Sequence, residues 1–230
     1  MNLIDHTDHL KDLGIIMSYN CDFEQHILSL CKRGSNLSGW ILRTFVSRDR
    51  DTMLTLFKSL VLSRLEYGSQ LWSPYKIKHI NAIEKVQRSF TKHIFGMREL
   101  SYAERLSVLR LYSLQRRRER YTIIYVWKIL ESIVPNLSRP IEYYISDRRG
   151  RLCVVSHTCL GHLGTLLFNS FRFRAIRLFN AMPISIRNLT LCSVISFKSK
   201  LDLYLSNISD NPCIPNFDNS LENASHTNNL

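Results

Sequence analysis

Two stretches of helical hydrophobic periodicity, joined by a short aromatic turn, dominate the chain between residues 51 and 96. The first predicted helix spans 52–66 and is apolar around most of its circumference, which is typical of a helix enclosed in a bundle. Gly68 is expected to end it, because glycine readily takes the left-handed conformation past a helix C-terminus. Pro74 then disfavours helical geometry at the preceding residue. A second helix is predicted over 77–95.

This second helix has two chemically different faces at about 100° of rotation per residue. Its apolar face collects Ile80, Ile83, Val86, Phe90 and Ile94. Its opposite face collects the cations Lys78, Lys85, Arg88 and Lys92. A row of cations on a packed helix could hold a phosphate backbone, and it could equally be an ordinary solvated face.

The N-terminal part shows weaker patterns. A strand is predicted over 10–17, with a bulge at Gly14, and its edge is expected to lack a partner strand. Asp22 is a candidate N-cap for a helix that closes at Gly34, and a further helix is predicted over 36–46. Asp49 and Asp51 could hold Mg²⁺, but a helix starts directly after them, so the sequence favours a capping role.

After Gly96, Ser101 and Glu104 form a capping-box pattern that predicts a short helix burying Leu106 and Leu109. A long helix over 115–130 then opens with four arginines in five positions. These four arginines are Arg116, Arg117, Arg118 and Arg120. Because they wrap most of a turn, one or two must face protein, where a guanidinium needs a carboxylate or carbonyl partner. The others could reach phosphate.

The remaining chain alternates loops and short helices. The stretch near 140–165 reads as irregular loops with short strands, and its Arg148 and Arg149 could touch nucleic acid or simply form a basic surface loop. A helix within 171–183 places Arg174 near Arg177, and a last amphipathic helix is predicted over 196–205. The predicted fold class is therefore mainly α: a helical bundle with a short N-terminal β element and irregular loops near 140–165.

The composition indicates which classes of partner suit the chain. The chain has 230 residues, 45% of them hydrophobic and 22% charged, with a formal net charge of +12. Such a surplus favours a polyanion, with nucleic acid ahead of an anionic membrane. No apolar run approaches the roughly 18 residues of a membrane span, and the N-terminus lacks the pattern of a secretory signal. Six scattered cysteines show no dense disulfide framework, so a reducing compartment is the default expectation.

One group of residues has the side chains of a zinc site. Cys153, His157, Cys159 and His162 are spaced C-x3-H-x-C-x2-H, and these residue types suit tetrahedral Zn²⁺. The spacing does not match a usual finger or knuckle. Unrelated cysteines and loop histidines are the favoured interpretation.

Two segments resemble a known family. LFKSLVLSRLEYGSQLWSPY, followed by IEKVQRSFTKHIFG, is similar to the segment just downstream of the polymerase palm in non-LTR retrotransposon (LINE-type, jockey-like) reverse transcriptases. The matching positions are Leu65, Glu66, Tyr67, Gly68, Trp72, Pro74 and 83–88. A second match covers Ser170, Phe171, Arg172, Arg174, Asn180 and Pro183, with Phe179 where the family usually has tryptophan.

The resemblance covers roughly residues 8–205 and implies a domain plan. Residues 1–20 would be a remnant of the palm and its primer-grip strand, 21–135 a helical thumb-like bundle, and 136–208 a C-terminal helical and irregular segment. The Asn/Ser-rich stretch 209–230 is expected to be a disordered tail.

The resemblance also implies a function: a fragment of an RNA-directed DNA polymerase that binds the backbone of an RNA and DNA template–primer duplex. The palm and fingers of the parent polyprotein would be its missing partners, and the nucleus or a cytoplasmic ribonucleoprotein its location. Mg²⁺ would belong to the intact enzyme, in which adjacent palm aspartates hold it. No two carboxylates are adjacent in this chain, so it is expected not to catalyse synthesis alone.

Helical geometry and local charge select the candidate contacts; no catalytic or metal-binding residue is assigned. The candidates are Lys78, Lys85, Arg88, Lys92, Arg116, Arg117, Arg118, Arg148, Arg149 and Arg174. Two other interpretations stay open: a non-enzymatic basic helical module that meets acidic protein or a membrane surface, and a pseudogene product without a role.

Overall fold

The computed structural model describes residues 8–135, 141–154, 168–210 and 212. The described chain is mainly helical with a short N-terminal β element, which confirms the predicted fold class. It divides into two compact units, Met1–Leu114 (unit 1) and Gln115–Leu230 (unit 2). This division falls inside the stretch 21–135 for which the sequence predicted one bundle.

Unit 1 begins with a β-hairpin in place of the single predicted strand. β1 (His9–Asp12) pairs antiparallel with β2 (Ile15–Ser18). Between them Leu13 and Gly14 both have positive φ, 45° and 83°, as in the two-residue turns that suit the twist of paired strands. The prediction of one strand across Gly14 is therefore wrong, and each strand has at least one partner within the chain.

The next element, α1 (Glu24–Thr44), is one helix where the sequence predicted two. Gly34 does not end it. A Cβ at Gly34 would lie 3.1 Å from Leu65 Cδ2 and 3.4 Å from Val86 Cγ1. This glycine therefore marks a close approach between helices, which local sequence could not reveal.

A long helix follows in three segments: α2 (Arg50–Leu56), a π-helical segment (Phe57–Leu62) and α3 (Ser63–Glu66). The Asp49 carboxylate accepts hydrogen bonds from Thr52 N and Thr52 Oγ1, at 3.1 and 3.2 Å. The capping interpretation of Asp49 is thus confirmed. The buried side of the helix consists of Met53, Leu54, Phe57, Val61, Leu62 and Leu65.

Three helices complete unit 1: α4 (Ser69–Trp72), α5 (Ile77–Thr91) and α6 (Tyr102–Leu109). Gly68, with φ of 61°, precedes α4 in the predicted left-handed conformation. α5 ends four residues before the predicted limit of 95. The capping box of Ser101 and Glu104 is present in both directions.

In its described residues, unit 2 includes most of one long helix, a hairpin and three further helices. These are α7 (Leu114–Leu130), β3 (Glu142–Ser146), β4 (Gly150–Val154), α8 (Phe171–Ala181), α9 (Ile184–Arg187) and α10 (Val194–Ser206). Its core includes Trp127, which stacks on Phe197 with ring centroids 4.4 Å apart. The Trp127 indole N–H donates to Leu189 O at 2.7 Å. The predicted disordered tail lies, apart from 209–210 and 212, outside the described residues.

Candidate nucleic-acid interface

The apolar face of α5 is buried as predicted. The five predicted positions are all in the core of unit 1: Ile80, Ile83, Val86 and Phe90 on α5, and Ile94 just past its end. The Phe90 ring stacks on Phe57 with centroids 4.7 Å apart. Burial of these five side chains fixes which side of α5 faces water.

α5 runs parallel to α1, and the two helices begin near each other and end near each other. Near their starts, Lys78 Nζ lies 2.7 Å from Glu24 Oε1. Midway, Gly34 of α1 approaches Val86 of α5. Beyond their ends, Phe95 N donates to Arg48 O at 2.9 Å. The negative ends of both helix dipoles therefore lie at the same end of the pair, which favours cations there.

The cationic face of α5 is accessible. Lys85 and Lys92 are exposed and Arg88 is half-buried. Within the described part of the chain, no carboxylate oxygen lies within 4.0 Å of any of the three. Lys85 and Lys92 are about 10 Å apart along the helix axis at 1.5 Å per residue. We call these three residues the α5 cation stripe.

Lys78 differs from the stripe although it lies on the same face. It is exposed, but its ammonium pairs with Glu24, and its hydrogen bond is the main reason that the pKa of Glu24 is lowered. A cation already paired has less to gain from phosphate. The structure thus makes Lys78 a weaker candidate than the sequence suggested.

A buried polar network fixes the orientation of α5 about its own axis. Glu84 is completely buried, and its carboxylate accepts from Tyr102 Oη and, at 3.1 Å, from Leu114 N. Gln87 Nε2 donates to Tyr102 Oη and Tyr112 O, both at 3.0 Å. Sequence reasoning missed this role, although Gln87 falls within the apolar face and Glu84 at its edge, positions where a polar side chain needs a partner.

Two of the arginines at the start of α7 face inward. Arg116 is 0% exposed and Arg118 is buried. The Arg116 guanidinium donates to Leu205 O, Ile208 O and Ser209 O at 3.0, 3.2 and 2.7 Å. These carbonyls lie at the C-terminal end of α10, where the helix dipole favours a cation. Arg116 and Arg118 therefore leave the set of candidate phosphate contacts, because protein already surrounds them.

The other two arginines of this group are partly exposed and engaged with neighbours. The Arg117 guanidinium donates to Tyr121 Oη at 3.0 Å. The Arg120 guanidinium forms a two-point pair with the Asp202 carboxylate, at 2.5 and 2.7 Å. Arg117 remains a candidate contact, with part of its donor capacity already used.

Glu119, buried beside these arginines, links the stability of unit 2 to pH. Burial raises its pKa to about 7, an effect that Arg116 partly offsets. Because the folded state holds this proton more tightly than the unfolded state, stability falls as pH rises from about 4.5 to about 7 and is flat above that.

A Glu119→Gln variant, whose amide resembles the protonated acid, should lack this dependence. Relative to this variant, the wild type should lose up to about 3 kcal/mol of unfolding free energy over that pH range. Urea titrations followed by tryptophan fluorescence measure the difference. A constant difference between the two proteins from acid to neutral pH would contradict it.

The remaining candidate cations of unit 2 have different surroundings. Arg148 and Arg149 are exposed in the turn between β3 and β4 and remain candidates. Arg174 is largely enclosed: burial lowers its pKa to about 10, and its Nη1 donates to Asn169 O at 3.2 Å. An enclosed guanidinium reaches a phosphate poorly, so Arg174 is a weak candidate.

Several residues that carry the family resemblance have structural roles. The Trp72 indole N–H donates to Tyr67 O at 2.8 Å, and a Cβ at Gly68 would come within 2.7 Å of Ile15 Cδ1. In unit 2, the Asn180 amide accepts from Cys153 N at 2.8 Å and donates to Cys153 O at 2.9 Å. These motif residues therefore stabilise the fold of the unit to which each belongs.

The described residues contain no group of three or more histidine, cysteine or acidic side chains placed to hold a metal ion. Of the four residues with zinc-site chemistry, only Cys153 is described. It is buried, and burial raises its pKa to about 12. His157, Cys159 and His162 lie outside the described residues.

No described helix combines the length and the apolar character needed to cross a bilayer. No family model, curated protein or solved structure matches the chain.

Proposed function

We propose that this chain corresponds to the thumb-like region of a non-LTR retrotransposon reverse transcriptase and binds the backbone of an RNA–DNA template–primer duplex. In this proposal Lys85, Arg88 and Lys92 make the principal contacts, and the chain does not synthesise DNA alone. The observation that supports it is the α5 cation stripe: two cations on α5 and a third at its C-cap, in line on the side opposite the packed face.

The stripe suits a phosphate backbone for three reasons. Its cations have no carboxylate partner in the described chain, so no ion pair has to break before phosphate binds. The polar network of Glu84 and Gln87 holds the helix in one orientation. Contacts to phosphate position the duplex without recognising its base sequence, and this is what a thumb requires.

Binding should depend steeply on salt because phosphate contacts release condensed counterions. Three contacts correspond to a slope of about −2.7 in a plot of log affinity against log salt concentration. Replacing Lys85, Arg88 and Lys92 together with glutamine should reduce the steepness of the measured slope by about that amount and weaken binding strongly at low salt. Fluorescence anisotropy with a labelled RNA–DNA duplex measures both quantities.

The control removes the same charge elsewhere on unit 1. Lys11, Lys58 and Arg64 are exposed and lie off α5. Their replacement by glutamine should weaken binding much less than the stripe variant does. Equal losses in the two variants would show a non-specific response to net charge and would contradict the stripe as the contact surface.

The catalytic half of the proposal has its own test. Polymerases of this kind use paired carboxylates to hold metal ions that align the primer 3′ oxygen with the incoming triphosphate, and no two acidic residues are adjacent here. Primer extension with Mg²⁺ and deoxynucleotides should give no product from this chain. Robust synthesis would overturn this half. Absence of binding to any nucleic acid at low salt would overturn the other and favour a protein-binding module.

A further inference from the structure

At the end of the parallel pair α1 and α5 an aromatic ring is held out in solvent. Phe95 is 82% exposed, whereas Ile94 and Met97 on either side of it are buried. The turn that carries Phe95 is fixed at both ends: Phe95 N donates to Arg48 O at 2.9 Å, and Met97 N donates to Ile94 O at 3.0 Å. The ring is therefore exposed by a well-anchored backbone.

The chain that contacts this turn is itself fixed. The Arg48 guanidinium donates to Leu42 O at 2.5 Å and to Phe45 O, so it caps the C-terminus of α1. Two residues before Arg48, Val46 is 92% exposed. Because Arg48 O is bonded to Phe95 N, Val46 and Phe95 belong to neighbouring segments.

The segments around this ring are rich in cations. From Arg88 to Arg98 the chain carries three cations, counting both ends, and no carboxylate, and Glu99 follows directly. On the neighbouring segment, 40–50 contains three arginines and one carboxylate, Asp49, which is occupied in capping α2. An exposed aromatic ring among cations matches the chemistry of a nucleotide with an unpaired base: the ring stacks on the base and the cations hold its phosphates.

We propose that Phe95 is a stacking platform for an unpaired base at the end of a duplex or in a single-stranded overhang. Lys92, three residues earlier, belongs to the α5 cation stripe, so a backbone held on the stripe brings its next nucleotide to Phe95. This inference rests on the proposed function, because the stripe must bind the backbone first. It adds a preference for substrates that end in a single strand.

The chain offers a matched control for the aromatic ring. Tyr19 is 83% exposed, also in unit 1. Asp8, Asp22 and Glu24 line the same concavity as Tyr19, and Asp22 and Glu24 are paired with Lys76 and Lys78. These surroundings offer a phosphate backbone no surplus of positive charge. Tyr19 and Phe95 therefore differ in electrostatic surroundings more than in exposure.

The experiment compares a blunt RNA–DNA duplex with the same duplex carrying a short overhang that contains 2-aminopurine. Wild type should prefer the overhang by about tenfold and quench the 2-aminopurine fluorescence on binding. Phe95→Ala should abolish both the preference and the quenching while keeping blunt-duplex affinity. Phe95→Trp should retain both, and Tyr19→Ala should behave as wild type.

The outcomes separate this inference from the proposed function. If Phe95→Ala retains the overhang preference, or if wild type has none, the stacking platform is wrong while binding through the stripe still stands. If wild type binds neither duplex at low salt, both proposals fall. If Phe95→Ala changes only the binding to vesicles of anionic lipid, Phe95 is a membrane contact and the inference is overturned.

Discussion

Replacing Arg116 with methionine is expected to destabilise unit 2 by about 3 kcal/mol or more. The side chain is completely enclosed, and its guanidinium satisfies carbonyls of Leu205, Ile208 and Ser209 beyond and at the end of α10. Methionine fills similar space but donates nothing, so one buried and two partly buried carbonyls lose this donor. It also removes the positive charge that partly offsets the burial of Glu119.

Hydrogen-exchange mass spectrometry measures this effect by region, since exchange reports the local free energy of opening. Peptides from α10 should exchange at least about 100-fold faster in Arg116→Met than in wild type. Arg117→Met is the control on the same helix: its guanidinium is partly exposed, and its loss should cost under about 1 kcal/mol. Equal exchange in the two variants would show that Arg116 does not hold α10.

The second large effect is expected at Glu84. Changing Glu84 to alanine removes the acceptor for Tyr102 Oη and for Leu114 N, both of which the carboxylate binds. Leaving two buried donors without partners costs about 2–6 kcal/mol. That loss is comparable with the whole stability of a small unit, so α5 and α6 should lose most of their exchange protection.

Two further variants distinguish a specific network from general sensitivity to mutation. Glu84→Gln keeps one acceptor oxygen and should retain part of the stability. Glu99→Ala removes an exposed carboxylate from the same unit and should change stability by under about 0.5 kcal/mol. A Glu84→Ala protein as stable as Glu99→Ala would contradict the role assigned to the network.

The α5 helix shows how much local pattern can predict. Its apolar positions recur at helical spacing, and every one of the five predicted core residues is buried. Its cations lie on the opposite side by the same geometry. The capping roles of Asp49, Ser101 and Glu104 also follow from a few neighbouring residues, and the structure confirms them. Local rules succeed where the physical cause is local.

The failures have non-local causes. Gly34 resembles a helix end in sequence, but it lies inside α1 because Leu65 and Val86 approach it closely. The arginines of α7 are indistinguishable by pattern, yet Arg116 finds its first carbonyl acceptor 89 residues further along the chain. In sequence Glu84 is one charged helix residue among several, and only the fold brings Tyr102 and Leu114 within hydrogen-bond distance of it. Each outcome depends on a partner that the local sequence does not contain.

The central claim is that the cationic face of α5 is the surface that holds a nucleic-acid backbone, and lysine footprinting tests it most directly. The chain is acetylated at low salt with and without an RNA–DNA duplex, and the modified lysines are counted by mass spectrometry. The account predicts that the duplex protects Lys85 and Lys92 but leaves Lys11 and Lys58 as reactive as before. Unchanged reactivity at Lys85 and Lys92, or protection confined to Lys11 and Lys58, would contradict it.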